Sequence, residues 1–113
     1  MEQSILKSTK KVLGLDSDYT VFDHDVILYI NSVFSTLNQL GIGPVEGFSI
    51  DDDTALWGSY AADYTYIGLI KTYMYLRVRF LFDPPSTSFL VEAINRQILE
   101  CEWRLNVFRE EAL

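Results

Sequence analysis

The densest set of potential ligands in this sequence is Asp51-Asp52-Asp53, three adjacent carboxylates that could in principle hold a hard cation. A calcium loop of the EF-hand type also needs ligands at regular later offsets and a glycine after the third acid. Thr54, Ala55, Leu56 and Trp57 follow instead, so the three acids are expected to lead a short helix, where its dipole stabilises them. His24 is the only histidine and Cys101 the only cysteine. Neither a His-rich metal site nor a supported Cys–His pair can be built from them, and an intramolecular disulfide is excluded. His24 stands between Asp23 and Asp25 at a helix start and is expected to be solvated. No serine sits in a nucleophile elbow, and no glycine pattern matches a phosphate loop or a dinucleotide fingerprint. Glu100, Glu102 and Arg104 beside Trp103 read as a helix surface that snorkels or pairs, rather than as an acid–base set. The residues therefore predict no enzyme, no catalytic group, no metal and no cofactor. An active site assembled from distant titratable groups is the least favoured of the function classes weighed.

Composition narrows the classes further. A chain of 113 residues is one domain with one core. A net charge of -7 and a pI near 4.5 argue against general nucleic-acid binding, which needs clustered Lys and Arg. Lys7, Lys10 and Lys11 do cluster, but at the C-terminal end of the first predicted helix, where cations complement the dipole. A small basic patch facing nucleic acid or an acidic partner is the functional alternative. Cys101 falls on an apolar seam and reads as a core residue. No stretch approaches the length of a membrane helix, and Met1-Glu2-Gln3-Ser4 reads as no secretory signal. A soluble, cytoplasmic protein is expected.

The elements that must carry these residues are helices. The spacing predicts an all-α fold, a small bundle of about four helices with a long irregular connection between the second and third. The first helix covers residues 3–13 and stops at Gly14. The second covers 23–40, with Val26, Ile27, Ile30, Val33, Phe34, Leu37 and Leu40 inward, and stops at Gly41. The third covers 64–82 and ends at Asp83-Pro84-Pro85-Ser86, where proline cannot continue a helix and Ser86 or Thr87 can cap the next. That last helix carries a seam of Val91, Ile94, Ile98, Cys101, Leu105 and Phe108, with Glu92 and Arg96 as a pair one turn apart on its polar side.

The third helix is apolar nearly all round. Ile67, Ile70, Met74, Val78 and Leu81 make one stripe, and Tyr66, Leu69, Tyr73, Leu76 and Phe80 another. Such a helix must be covered on several sides, and a small chain has limited material for it. Two expectations stand side by side: another copy buries part of that surface, or the helix is the centre of a monomeric bundle. The connection, residues 41–62, is long for so small a domain. Its Phe48, Ile50, Leu56, Trp57 and Tyr60 either meet a partner or fold back as a lid on the core.

Phe22-Asp23 opening a helix that closes as Gln39-Leu40-Gly41-Ile42-Gly43-Pro44, then Tyr73 to Arg79, Leu81-Phe82-Asp83-Pro84-Pro85 and Glu102-Trp103-Arg104-Leu105-Asn106-Val107, resembles the head-tail connector (adaptor) proteins of tailed bacteriophages over nearly the whole chain. The resemblance implies an all-helical protomer in a ring, usually dodecameric, beneath the portal protein and above a tail or head-completion protein. It implies a virion protein of the neck, made in the host cytoplasm, with DNA passing through the lumen without sequence-specific binding. A negatively charged wall would let DNA slide, and Asp51, Asp52 and Asp53 are the candidate lumen-facing acids. Phe48, Ile50, Leu56, Trp57, Tyr60, Tyr66 and Tyr73 are the candidate partner or subunit interface. The alternative is a helical regulatory or adaptor protein that binds a single phage or host protein through the seam of residues 91–108.

Overall fold

A computed structural model describes residues 3–61 and 66–111. It contains α1 (Ile5–Val12), α2 (Asp23–Gln39), α3 (Trp57–Ala61), α4 (Ile67–Phe82) and α5 (Ser88–Glu111), so the all-α expectation holds, with five helices among the described residues where about four were expected. The extra one is the single turn and a half of α3, which folds inside the irregular connection. The expected onset of the third long helix at Tyr64 lies outside the described residues.

Local chemistry explains most boundaries. α1 starts two residues later than expected because Ser4 is its N-cap, with extended backbone and an Oγ that accepts from the Lys7 amide. Gln3 and Ser4 instead pair with the connection: the Ile5 amide donates to the Ala55 carbonyl, the Trp57 amide to that of Gln3, and Ser4 and Leu56 form an isolated bridge. At the end of α2, Gly41 adopts φ +82°, which lets the Ile42 amide turn back to the Leu37 carbonyl. Thr87 Oγ1 accepts from the Leu90 amide at the start of α5, one of the two caps expected after the proline pair.

α4 runs through the middle. It packs against α1, α2 and α5. Ile5, Leu6, Val26, Ile30, Phe34, Leu37, Ile70, Tyr73, Met74, Val78, Ile98, Cys101 and Leu105 belong to one continuous core. The apolar girth of α4 is thus covered by its own chain, with Leu81 the large exception left exposed. α4 is thus the central helix of the chain's own bundle, and Leu81 is the part of its apolar surface left open to a neighbour.

Candidate assembly surface

The connection closes over the α1–α2–α4 core as a lid. Asn31 clamps it from α2: its Nδ2 donates to the Ile50 carbonyl at 2.9 Å, and its Oδ1 accepts from the Ile50 amide at 2.8 Å. A side-chain amide that mimics a backbone pair in this way holds an irregular segment in register without a strand. Trp57 anchors the far end. Its indole is 2 % exposed and donates from Nε1 to Ser8 Oγ at 3.0 Å, with Tyr75 edge-on and Lys71 over its face. Phe34, Phe48 and Tyr60 form a mutual aromatic cluster with centroids 4.8–5.3 Å apart.

This arrangement decides where the predicted interface residues lie. Ile50, Trp57 and Tyr60 are buried within the chain, the placement that the lid alternative expects, and Tyr73 is buried on α4. Phe48, within the lid, is half-buried against Phe34 and Tyr60, and Tyr66 stacks flat on Phe108 at 3.8 Å. Leu56 alone among the seven is substantially exposed. The periodic pattern could not distinguish the two outcomes, because a lid and an interface ask for the same residue types.

Asp51, Asp52 and Asp53 are all exposed, but they do not lead a helix as expected: α3 begins only at Trp57 and has no acid in its first turn. Turn chemistry holds them instead. Asp52 Oδ1 accepts from the hydroxyl and the amide of Thr54, and these bonds hold its carboxyl below the usual aspartate range. Asp53 forms an ion pair with Lys7 at 3.7 Å, and its carbonyl accepts from Ser4 Oγ. Among the described residues no group of three His, Cys, Asp or Glu side chains is placed to hold a metal ion.

Two polar constellations escaped sequence reasoning. The first is Lys10, expected to complement the dipole at the C-terminal end of its helix. Its side chain is 1 % exposed, and Nζ reaches the Ser17 carbonyl at 3.2 Å, the Tyr19 carbonyl at 2.6 Å and Asp23 Oδ1 at 2.7 Å. Two hydrogen bonds and one ion pair thereby tie α1 to the linker and to the first turn of α2. The second lies between α4 and α5. The Tyr73 hydroxyl donates to Glu102 Oε2 at 2.7 Å, and Arg77 Nη1 donates to both, with its guanidinium over the Tyr73 ring. Burial, then the bond to Glu102, pushes the Tyr73 phenol well above its ordinary range. Glu102 therefore pairs across a helix interface. Burial likewise raises the Cys101 thiol, which leaves it protonated and unreactive in the core.

Large apolar side chains are left exposed on α5, where a single seam was expected. Ile98, Cys101 and Leu105 are buried against α4 as the seam requires, with Val91, Ile94 and Phe108 half-buried. Trp103 lies two residues from both Cys101 and Leu105, hence about 160° away around the helix. It is 67 % exposed, and Leu99 (64 %) and Phe89 (76 %) share its face. Glu92 and Arg96 also lie on this face but do not form the expected pair. The ion pairs among the described residues are Lys7–Asp53, Lys10–Asp23 and Arg77–Glu102. No helix among the described residues is long and apolar enough to cross a membrane, so the outer stripe is not half of a membrane span.

Comparison with known families matches residues 5–112 to the phage connector protein family, and the chain belongs to that family. No curated protein and no solved structure matches it. The family is one of structural proteins of the phage virion, placed at the neck, whose members work by contact with other virion components.

Proposed function

We propose that this connector-family chain is a head-tail adaptor subunit that assembles as a ring beneath the portal protein, with a tail or head-completion protein on its other side and DNA passing through its lumen. The family match across 5–112 carries the reading. The structure supports it through α5, a helix with one apolar face used inside the chain and a second left exposed. A subunit that works alone gains nothing from exposing Phe89, Leu99 and Trp103, whereas a subunit with neighbours can bury them. The lid supports it too, because the Asn31 clamp and the Trp57 anchor give the protomer a defined shape before any partner arrives.

The net charge of -7 suits a channel that DNA must traverse without adhering. Asp51 and Asp52 are the lumen-facing acids we propose, because both are exposed and neither is in an ion pair; Asp53 is partly neutralised by Lys7. The test is mass measurement of the purified chain across a wide concentration range, alone and with portal protein, together with a search for the chain in purified virions. A ring, or a complex with portal, is expected, as is its presence in virions. A chain that stays monomeric, ignores portal and is missing from virions would overturn the reading.

A further inference from the structure

We infer that the outer face of α5 docks head-to-tail on a second copy of the chain, into the cavity between the start of α2 and the end of α4. This deepens the ring reading above and rests on it.

Three observations select that occupant. The first is position. The cavity is about 210 Å³ and is lined by Phe22, Asp25, Tyr29 and Phe82. Phe82 lies nine residues from Tyr73, or about two and a half turns, so it is on the face of α4 opposite the one that meets α5. The cavity, between α2 and α4, and the stripe, on the outer face of α5, are thus different surfaces of the protomer. Two unlike surfaces are what a heterologous, ring-closing contact requires; an isologous dimer would use one surface twice.

The second is shape and polarity. The stripe projects large apolar side chains, Phe89, Leu99 and Trp103, from a straight helix. The cavity is a half-open aromatic site, and Val21 and Leu28, next in sequence to its Phe22 and Tyr29, are exposed apolar residues. An aromatic knob entering an aromatic-lined pocket is the usual centre of a protein interface.

The third is charge. Arg96 lies in the α5 stripe between Phe89 and Leu99 and has no ion-pair partner among the described residues, and the same is true of Asp25 at the cavity. Asp16 and Asp18 add negative charge to the linker that leads to it. A second copy brings the unpaired arginine to the unpaired acid.

The experiment uses two single variants, Trp103→Glu on the stripe and Asp25→Arg at the cavity, followed by sedimentation velocity from micromolar to millimolar concentration. Both positions are exposed, so melting curves should stay close to wild type. Each variant should raise the self-association constant for dissociation about tenfold or more. Mixed together, the two should form a heterodimer and stop there, since the mixture retains one intact stripe and one intact cavity. Loss of association in Trp103→Glu alone, with no recovery on mixing, would show an isologous α5 contact and overturn the inference. Wild-type association unaffected by either variant would overturn the docking surface while leaving the ring reading intact. A wild type that remains monomeric throughout and also fails to bind portal would overturn both.

Discussion

Replacing Lys10 with methionine tests the least expected feature of the fold, a lysine used as an internal tie. Methionine keeps most of the aliphatic stem, so the cavity term is small and the loss is that of the ammonium. Three acceptors are affected: the carbonyls of Ser17 and Tyr19 and the carboxylate of Asp23. An acceptor stranded in the interior costs about 1–3 kcal/mol. Ser17 and Tyr19 are exposed residues whose carbonyls can regain water, so the low end applies to each. Asp23 is 26 % exposed at its side chain, and its lost ion pair is discounted to about 1 kcal/mol or less. Removing the ammonium also relieves the cost of having desolvated it, which offsets part of the loss. The net expectation is about 2–3 kcal/mol. At about 2.1 cal/mol/K per residue, the 113 residues give an unfolding entropy near 0.24 kcal/mol/K, so the melting temperature should fall by about 8–12 °C. Urea unfolding followed by circular dichroism, with unchanged m-value, is the assay. Lys11→Met on the exposed side of α1 is the control and should change stability by about 0.5 kcal/mol or less. A Lys10→Met protein as stable as that control would refute the argument, and show that the linker of residues 13–22 holds its course without the tie.

The other expectations concern the lid and the α4–α5 interface. Trp57→Ala should destabilise the protomer by about 3–5 kcal/mol, because it empties a buried indole site; a chemical denaturation curve near wild type would place Trp57 outside the core. Gly43→Ala combines φ +86° with a Cβ that would clash with the Tyr60 ring and hydroxyl, so a loss of about 1–3 kcal/mol is expected from thermal melts. Ile98→Asp buries an unpaired charge at the α4–α5 seam and should abolish cooperative unfolding, or cost about 3 kcal/mol or more; retained stability would overturn the seam. Tyr73 also predicts a pH dependence. Its folded-state pKa is raised, so its contribution is complete below the unfolded phenol pKa of about 10 and is lost as pH rises beyond that value. Wild type should therefore lose stability between about pH 9 and 11 more steeply than Tyr73→Phe, and parallel curves would show that Tyr73 does not titrate with folding.

Helix existence and most helix ends were legible because each has a local cause: the glycine after α2, the proline pair after α4, the hydroxyl caps and the 3.6-residue apolar rhythm. The lid was only half legible. Phe48, Ile50, Trp57 and Tyr60 announce burial, but the groups that order the segment are Asn31, which lies off the apolar stripe of α2, and Ser4 and Ser8, which carry no periodic signal. Lys10 and Glu102 were misplaced for a related reason. A charged residue is assigned to solvent by its type, and only the three-dimensional neighbourhood reveals that carbonyls, a carboxylate or a phenol wait to receive it.

The excess of apolar surface changes address between sequence and structure, and the change bears on function. α4 has the greater apolar girth, but girth measures demand for cover, and a helix between two layers has that demand met. α5 looked adequately polar because Glu92 and Arg96 interrupt its outer stripe. At the edge of the bundle, however, no described residue covers Phe89, Leu99 and Trp103. Position in the layer order, which periodicity does not encode, thus decides which helix is left to be completed by a neighbour. It follows that substitutions in α4 should be read out as lost folding, and substitutions on the outer face of α5 as lost assembly with folding intact. A Trp103→Glu protein that melts far below wild type would break that division, since it would mean the outer face of α5 is held by its own chain.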